Sequence, residues 1–138
     1  MRLGAAPEFA TRFEGLLGLE QEYGVKPTFV PLAIGLTYNA LDSGQVDVGD
    51  VFTTDGQLVH GKYTLLTDPK GVFGYQNVAP VVNTKVLSAE GPAFTSTLNA
   101  VDALLTTKAV QALNYAVSIE KLTPAQVAGE FLKANHLA

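Results

Sequence analysis

Arg12 and Phe52 are side chains of two types that can hold a small charged ligand. A guanidinium presents a planar fork of donors that matches a carboxylate, and it stays charged at any physiological pH. An aromatic ring presents a face that attracts a cation, with a gain of about 0.5–2 kcal/mol per ring. The alternative, purely structural interpretations are that Arg12 is a surface arginine at the start of a helix and that Phe52 is an ordinary aromatic residue of a hydrophobic core.

Patterns typical of catalysis or metal binding are missing from the sequence. It contains no Gly-x-Ser-x-Gly elbow, no phosphate-binding glycine loop and no His-Glu-x-x-His motif. One run of acidic residues lacks the alternate spacing and central glycine of an EF-hand loop, so we interpret it as solvated caps and turn formers. It comprises Asp42, Asp47, Asp50 and Asp55. His60 and His136 lie far apart in the sequence, without a cysteine to share a site. We therefore expect no enzyme activity, no cofactor and no metal.

Length and composition indicate one soluble globular domain. The chain has 138 residues, of which 47% are hydrophobic and 16% are charged. Its net charge is -4 and its nine basic residues are scattered, which argues against a nucleic-acid partner. It has no cysteine, which excludes disulfides, and no apolar run approaches the ~20 residues that span a bilayer. On composition alone, an intact cytosolic protein of this size stays open as an alternative.

The first half of the chain alternates between predicted strands and predicted helices. The strands are expected at Arg2–Ala5, Thr28–Leu32, Val46–Phe52 and Tyr63–Leu66. The helices are expected at Glu14–Tyr23, which ends at Gly24, and at Leu36–Leu41. This alternation predicts an α/β fold with a small, mainly parallel sheet and flanking helices.

From Val78 onward the sequence pattern becomes helical. Ala79–Val82 is predicted to be extended, because proline restricts the residue before it. Apolar residues at helical spacing then form three stripes, which are Phe94, Leu98, Val101 and Leu105, then Val110, Leu113 and Val117, and finally Val127, Phe131 and Leu132. The last helix is predicted to begin with a capping box, with Thr123 as N-cap, Pro124 at the first helical position and Gln126 three residues after the cap.

Three blocks of sequence, in order and at matching spacing, carry a resemblance to a known family. They are Pro7–Arg12, Gly35–Gly56 and Asn77–Val82. On these blocks the chain resembles the glycine betaine/choline-type solute-binding proteins of ABC importers, the osmoprotectant receptors, and specifically their C-terminal half. The resemblance implies one lobe of a type II periplasmic-binding-protein-like fold. It assigns residues 1–78 to the second ligand-binding lobe, and residues 79–138 to a hinge-crossing strand and helices of the first lobe.

The resemblance also implies a ligand and the residues that bind it. The ligand would be glycine betaine, choline or a related small zwitterion, and the receptor would deliver it to an ABC permease. Arg12 matches the family arginine that grips the ligand carboxylate. Phe52, followed by Thr53, stands where the family usually has a tyrosine of the aromatic cage around the ammonium. The position of a second cage tyrosine falls on Gln76, a departure from the family, and Tyr75 one residue earlier is the substitute that a local shift would provide.

Two further expectations follow from the resemblance. The full receptor would be periplasmic or otherwise extracytoplasmic. Met1–Gly4 is not followed by the apolar segment of an export signal, so that signal would lie upstream of this sequence. The helices after Thr84 would lack their usual partner, so they would either fold back onto the local sheet or pair in a homodimer, which we favour. The alternative function is therefore a homo-oligomerising structural module that binds no ligand.

Overall fold

A computed structural model describes residues 1–137, which form two compact units. The first, called the sheet unit, comprises Met1–Phe52 and Thr64–Tyr75. The second, called the helical unit, comprises Thr53–Tyr63 and the residues from Gln76 onward. Residues 53–63 thus group with the C-terminal helices, whereas the family resemblance assigns all of residues 1–78 to one lobe. Whether the units correspond to receptor lobes stays a prediction. Within residues 1–137, no helix has the length and apolar character needed to cross a membrane.

A small parallel sheet lies at the centre of the sheet unit, as predicted. Its strands are β1 (Arg2–Ala5), β2 (Thr28–Pro31) and β3 (Val48–Gly49), in the order β2-β1-β3. Both neighbours run parallel to β1, with Leu3 opposite Phe29 on one side and opposite Val48 on the other.

Two of the predicted strands differ in the structure. β3 is confined to Val48–Gly49 instead of extending over Val46–Phe52, because its register with β1 pairs only these two residues, with Leu3 and Gly4. The predicted strand Tyr63–Leu66 does not form. Leu66 is 81% exposed, so this run gains none of the burial that stabilises a β-strand of apolar residues.

The helices of the sheet unit are short. α1 (Gly18–Tyr23) ends at Gly24, whose φ of 67° is the left-handed conformation predicted for a stop glycine. The helix was predicted to begin at Glu14, but the backbone is not helical at Glu14 and Gly15. The cause is a close approach: a Cβ on Gly15 would lie 2.3 Å from the carbonyl oxygen of Phe9.

The second helix, α2 (Thr37–Asp42), lies within one residue of the prediction. It buries Thr37, Tyr38 and Ala40, so its inward face is packed despite its length of six residues. Ahead of α1, a 3₁₀ helix at Pro7–Ala10 begins with proline, whose fixed φ suits a first helical position.

The core of the sheet unit contains two buried clusters. The first consists of Leu3, Ala5 and Phe9, and the second of Leu32, Ala40 and Val46. Phe9 is only 2% exposed, and its ring centroid lies 6.5 Å from that of Phe29 and 6.2 Å from that of Phe73. Both ring pairs are stacked, an arrangement that stabilises beyond area burial alone.

The helical unit contains α3 (Thr84–Asp102), α4 (Thr107–Ser118) and α5 (Pro124–Ala134). α3 is kinked at Gly91, where φ is 76° and the following residue is a proline. The predicted capping box of α5 is confirmed: the Gln126 amide N–H donates to Thr123 Oγ1 at 3.3 Å, and the Thr123 amide N–H donates to Gln126 Oε1 at 3.0 Å. On the predicted inward face of α5, Val127 is buried and Phe131 and Leu132 are half-buried.

Candidate ligand site

The carboxyl edge of the parallel sheet carries both principal candidates. Arg12 lies in the segment that leaves the carboxyl end of β1, and Phe52 lies in the segment that leaves the carboxyl end of β3. Because β1 and β3 are parallel neighbours, both segments leave the sheet at the same edge. Open α/β sheets bind their ligands outside this edge. The topology of the sheet unit is therefore consistent with a shared role for the two residues.

Arg12 is exposed and only loosely paired. Its Nη2 lies 3.9 Å from Oε1 of Glu8, and the two side chains are 53% and 54% exposed. An ion pair at this distance and exposure contributes little stability, because water screens it and both side chains keep their rotamer freedom. The guanidinium fork consequently stays open to solvent on most of its edge, as a carboxylate-binding arginine requires.

Phe52 does not lie in the hydrophobic core, which argues against the interpretation that it is an ordinary core aromatic residue. Its side chain is 64% exposed, whereas the core phenylalanine of the same unit, Phe9, is 2% exposed. The next residue, Thr53, belongs to the helical unit, and its carbonyl oxygen accepts a hydrogen bond from Nε2 of Gln111 at 2.6 Å. The Phe52–Thr53 segment thus combines an accessible ring with a backbone that is held from one side.

Tyr75 and Gln76 are both exposed, and the division of the chain into the two units falls between them. Tyr75, 94% exposed, is the last residue of the sheet unit, and Gln76 is the first of the long C-terminal part of the helical unit. Of the five predicted residues, Arg12, Phe52 and Tyr75 therefore share the sheet unit. Which of the two adjacent residues takes the place of the second cage tyrosine stays a prediction.

A hydrogen-bonded anchor fixes the segment that leads to Tyr75. The hydroxyl of Tyr23 donates to Oδ1 of Asp68 at 2.5 Å, and the amide N–H of Phe73 donates to Oδ2 at 2.8 Å. The hydrogen bond from Tyr23 holds the pKa of the Asp68 carboxyl below its ordinary value. Desolvation, together with that bond, raises the pKa of Tyr23. Sequence analysis missed the bond between Asp68 and α1, since Tyr23 lies 45 residues away.

A second anchor joins the start of β1 to the residue before β3. Nη2 of Arg2 lies 2.7 Å from Oδ1 of Asp47, and the Arg2 amide N–H donates to Oδ2 at 2.7 Å. These bonds to Arg2 lower the pKa of Asp47 to about 2. The interpretation of Asp47 as a solvated cap is wrong, because its carboxylate is paired across the sheet.

Sequence analysis also missed a polar face on α4. Gln111, Asn114 and Tyr115 each contact the segment 53–60 of the same unit. Their spacing of i, i+3 and i+4 places them on one side of the helix. This spacing is readable from the sequence, but the apolar stripe Val110, Leu113 and Val117 is the stronger pattern of the same helix.

Comparison with known proteins relates this chain to one group of receptors. Residues 1–134 match the family described as "Substrate binding domain of ABC-type glycine betaine transport system". The chain is 40% identical over 134 residues to the glycine-betaine-binding protein of Pseudomonas aeruginosa, covering 95% of this chain and 43% of that protein. It is 32% identical over 106 residues to the carnitine transport binding protein OpuCC of Listeria monocytogenes, covering 77% of this chain and 34% of that protein.

A solved structure shares the fold. The crystal structure of a glycine betaine/carnitine/choline ABC transporter superposes with a TM-score of 0.78 and 32% identity, over 99% of this chain and 50% of that one. The chain thus spans half or less of the length of these relatives.

Proposed function

Because this chain belongs to the family of substrate-binding domains of ABC-type glycine betaine transport systems, we propose that it is part of a receptor for a small zwitterion or quaternary amine. The receptor delivers its ligand to an ABC permease on the extracytoplasmic side of a membrane, and it is a binding protein rather than an enzyme. The observation that carries this proposal is the sheet edge, where an open guanidinium and an exposed aromatic ring follow neighbouring parallel strands.

The chemistry of glycine betaine matches these two groups. Its carboxylate accepts the paired N–H donors of Arg12, in the bidentate geometry that makes such bonds strong. Its quaternary ammonium has no N–H to donate, so an aromatic face such as that of Phe52 is the group that attracts it. Thr53 and one of the adjacent pair Tyr75 and Gln76 complete the part of the site that this chain contributes.

The class of ligand is better supported than any individual ligand. The Pseudomonas relative is named for glycine betaine, and the Listeria relative for carnitine. Both compounds combine a carboxylate with a quaternary ammonium, whereas choline has the ammonium alone. We propose the class and take glycine betaine as the first compound to test.

A chimeric receptor provides the direct experiment. This chain would replace the matching 134-residue region of the Pseudomonas aeruginosa relative, giving what we call the rebuilt receptor, and glycine betaine would be titrated into it by calorimetry. We expect saturable binding by the rebuilt receptor and weak or no binding by the isolated chain, because the rest of the ligand contacts lie outside the chain. The unmodified Pseudomonas protein is the control. Micromolar binding by the monomeric isolated chain, or none by the rebuilt receptor, would contradict the proposal.

Substitution of Phe52 tests the aromatic contact. Phe52→Tyr should be tolerated because it keeps the π face, and Phe52→Ala should weaken glycine betaine and choline alike by about 0.5–2 kcal/mol. Phe13→Ala is the matched control, since Phe13 is also an exposed phenylalanine of the sheet unit. Unchanged affinity of Phe52→Ala would remove Phe52 from the site.

A second candidate function is self-association without ligand binding. It is favoured by α3 and α4, which bury no side chain although both carry an apolar stripe, and by Val81, which is 97% exposed. Two chains that pair through the helices after Thr84 would cover these side chains. Light scattering over a wide concentration range tests this candidate, and a constant mass of 14.6 kDa would exclude it.

A further inference from the structure

The backbone that follows Phe52 is held by two side-chain amides of α4. Nε2 of Gln111 donates to the carbonyl oxygen of Thr53 at 2.6 Å, and Nδ2 of Asn114 donates to that of Thr54 at 2.9 Å. All four residues belong to the helical unit. Two consecutive carbonyl groups are thus fixed by donors one helical turn apart, so the peptide planes at Thr53 and Thr54 have little freedom to rotate.

The same segment also packs closely against α4. A Cβ on Gly56 would lie 2.5 Å from the backbone nitrogen of Tyr115, so the 3₁₀ helix Gly56–Leu58 can approach this closely only with glycine. Beyond it, Nε2 of His60 and the hydroxyl oxygen of Tyr115 are 2.9 Å apart, with the two rings edge-on at 5.0 Å. Backbone packing and the His60–Tyr115 pair already hold residues 56–60, so the contacts from Gln111 and Asn114 act on residues 53–54 in particular.

We infer that Gln111 and Asn114 are positioning residues, which orient Thr53 through the carbonyl groups of Thr53 and Thr54. The inference rests on the proposed function of Thr53 as a ligand-binding residue. Loss of the hydrogen bond to its carbonyl group would let the Thr53 backbone rotate and would displace its hydroxyl. A hydroxyl contributes to a ligand only when the distance and angle of its hydrogen bond are right. Neither amide needs to touch the ligand itself.

Isosteric acid substitutions in the rebuilt receptor test this inference. Gln111→Glu and Asn114→Asp keep the side-chain size but replace the N–H donor by an oxygen that faces a carbonyl. We expect each to weaken glycine betaine about three- to ten-fold, the loss of one hydrogen bond. Asn99→Asp is the matched control, because Asn99 is an exposed amide on α3 and the added charge is the same. When Gln111→Glu or Asn114→Asp is made in the full 138-residue chain, the hydrogen-exchange rates of the Leu58 and Val59 amides should change little, since these residues are held by other contacts.

A double-mutant cycle distinguishes positioning from a merely structural role. If Gln111 acts through Thr53, the effect of Gln111→Glu on the dissociation constant of glycine betaine should vanish in a Thr53→Ala background, which keeps the Thr53 carbonyl group. Equal effects in both backgrounds, or an affinity that stays at the level of the Asn99→Asp control, would overturn the inference while leaving the proposed function intact. A parent rebuilt receptor that fails to bind glycine betaine would instead overturn the proposed function, and this inference with it.

Discussion

The sheet unit and the helical unit are stabilised in different ways. Within residues 1–137, eight of the nine buried apolar side chains belong to the sheet unit, and Val127 alone belongs to the helical unit. The sheet unit therefore has a hydrophobic core of its own. The helical unit depends more on hydrogen bonds, namely three N-caps by Asn83, Thr106 and Thr123, and the long-range contacts of α4 with residues 53–60.

This difference bears on how a receptor segment can function. A ligand site needs groups held on a rigid support, and the proposed site residues Arg12 and Phe52 follow strands that contribute to the core of the sheet unit. Helices with few buried side chains open locally at lower free energy than a packed core does. We therefore expect slower hydrogen exchange in β1 and β2 than in α3, and the predictions below test that contrast by substitution.

The largest effect on stability should come from Phe9→Ala. Phe9 is almost fully buried between two other phenylalanine rings, so the substitution leaves a cavity and should cost about 3–5 kcal/mol of unfolding free energy. Val127→Ala, which affects the one buried apolar side chain of the described helical unit, should cost less, about 1–2 kcal/mol. Chemical denaturation monitored by circular dichroism measures both. Equal losses would show that the two units share stability more evenly than their burial suggests.

Gly56→Ala should have the next largest effect. The added methyl group would overlap the backbone of Tyr115 and separate the 3₁₀ helix from α4, at a cost of about 1–3 kcal/mol. Gly129→Ala is the matched control, because Gly129 lies inside α5 and a methyl group added there would meet no atom within 4 Å. That control should stabilise the chain by about 0.5–1 kcal/mol. A neutral Gly56→Ala would argue against the close packing on α4.

Removal of the α5 cap should have a smaller effect. Thr123→Ala deletes the hydroxyl that accepts from the Gln126 amide, which should cost about 1 kcal/mol. Thr107→Ala is a suitable control, since Thr107 is the first residue of α4 and Thr106 before it provides the cap. Thermal unfolding of the two variants checks the prediction. Similar melting temperatures would mean that the capping box contributes no measurable stability.

The smallest effect concerns acid stability. Arg2 lowers the pKa of Asp47 from 3.8 to about 2, so this pair stabilises the folded state above about pH 4 and stops doing so as the pH falls toward 2. Asp47→Asn should remove this pH dependence of unfolding between these values, and Arg2→Gln should remove only part of it, because the Arg2 amide N–H still donates to Asp47. Both side chains are exposed, so the change will be modest. If only one of the two variants altered the acid transition, the pair would not be its cause.

Local signals in the sequence were enough to predict some elements. β1, α2 and the capping box of α5 depend on residues within one or two turns of one another, and all three form close to their predicted positions. The late start of α1 was not predictable in this way. It depends on the approach of Gly15 to the Phe9 carbonyl, a contact that no periodicity encodes.

The residues of the candidate site stay predictions from the sequence, and the contacts around them were not predictable from it. Arg12 and Phe52 were recognised from sequence blocks, and the parallel arrangement of β1 and β3 was needed to place both at one edge. The support from Gln111 could not be predicted, because its partner Thr53 lies 58 residues earlier in the chain. Contacts of that separation depend on tertiary folding, and a local pattern leaves them unspecified.

The central claim is that Arg12 binds a ligand carboxylate, and calorimetry on the rebuilt receptor tests it most directly. Glycine betaine and choline would be titrated into the parent, Arg12→Ala and Glu8→Gln proteins. Glu8→Gln is the control, since it removes the carboxylate charge beside Arg12 without changing the guanidinium. The account predicts that Arg12→Ala weakens glycine betaine by about 2–5 kcal/mol, the cost of truncating a charge pair that the ligand and the rest of the receptor would bury, and affects choline far less. Equal losses for the two ligands would contradict it.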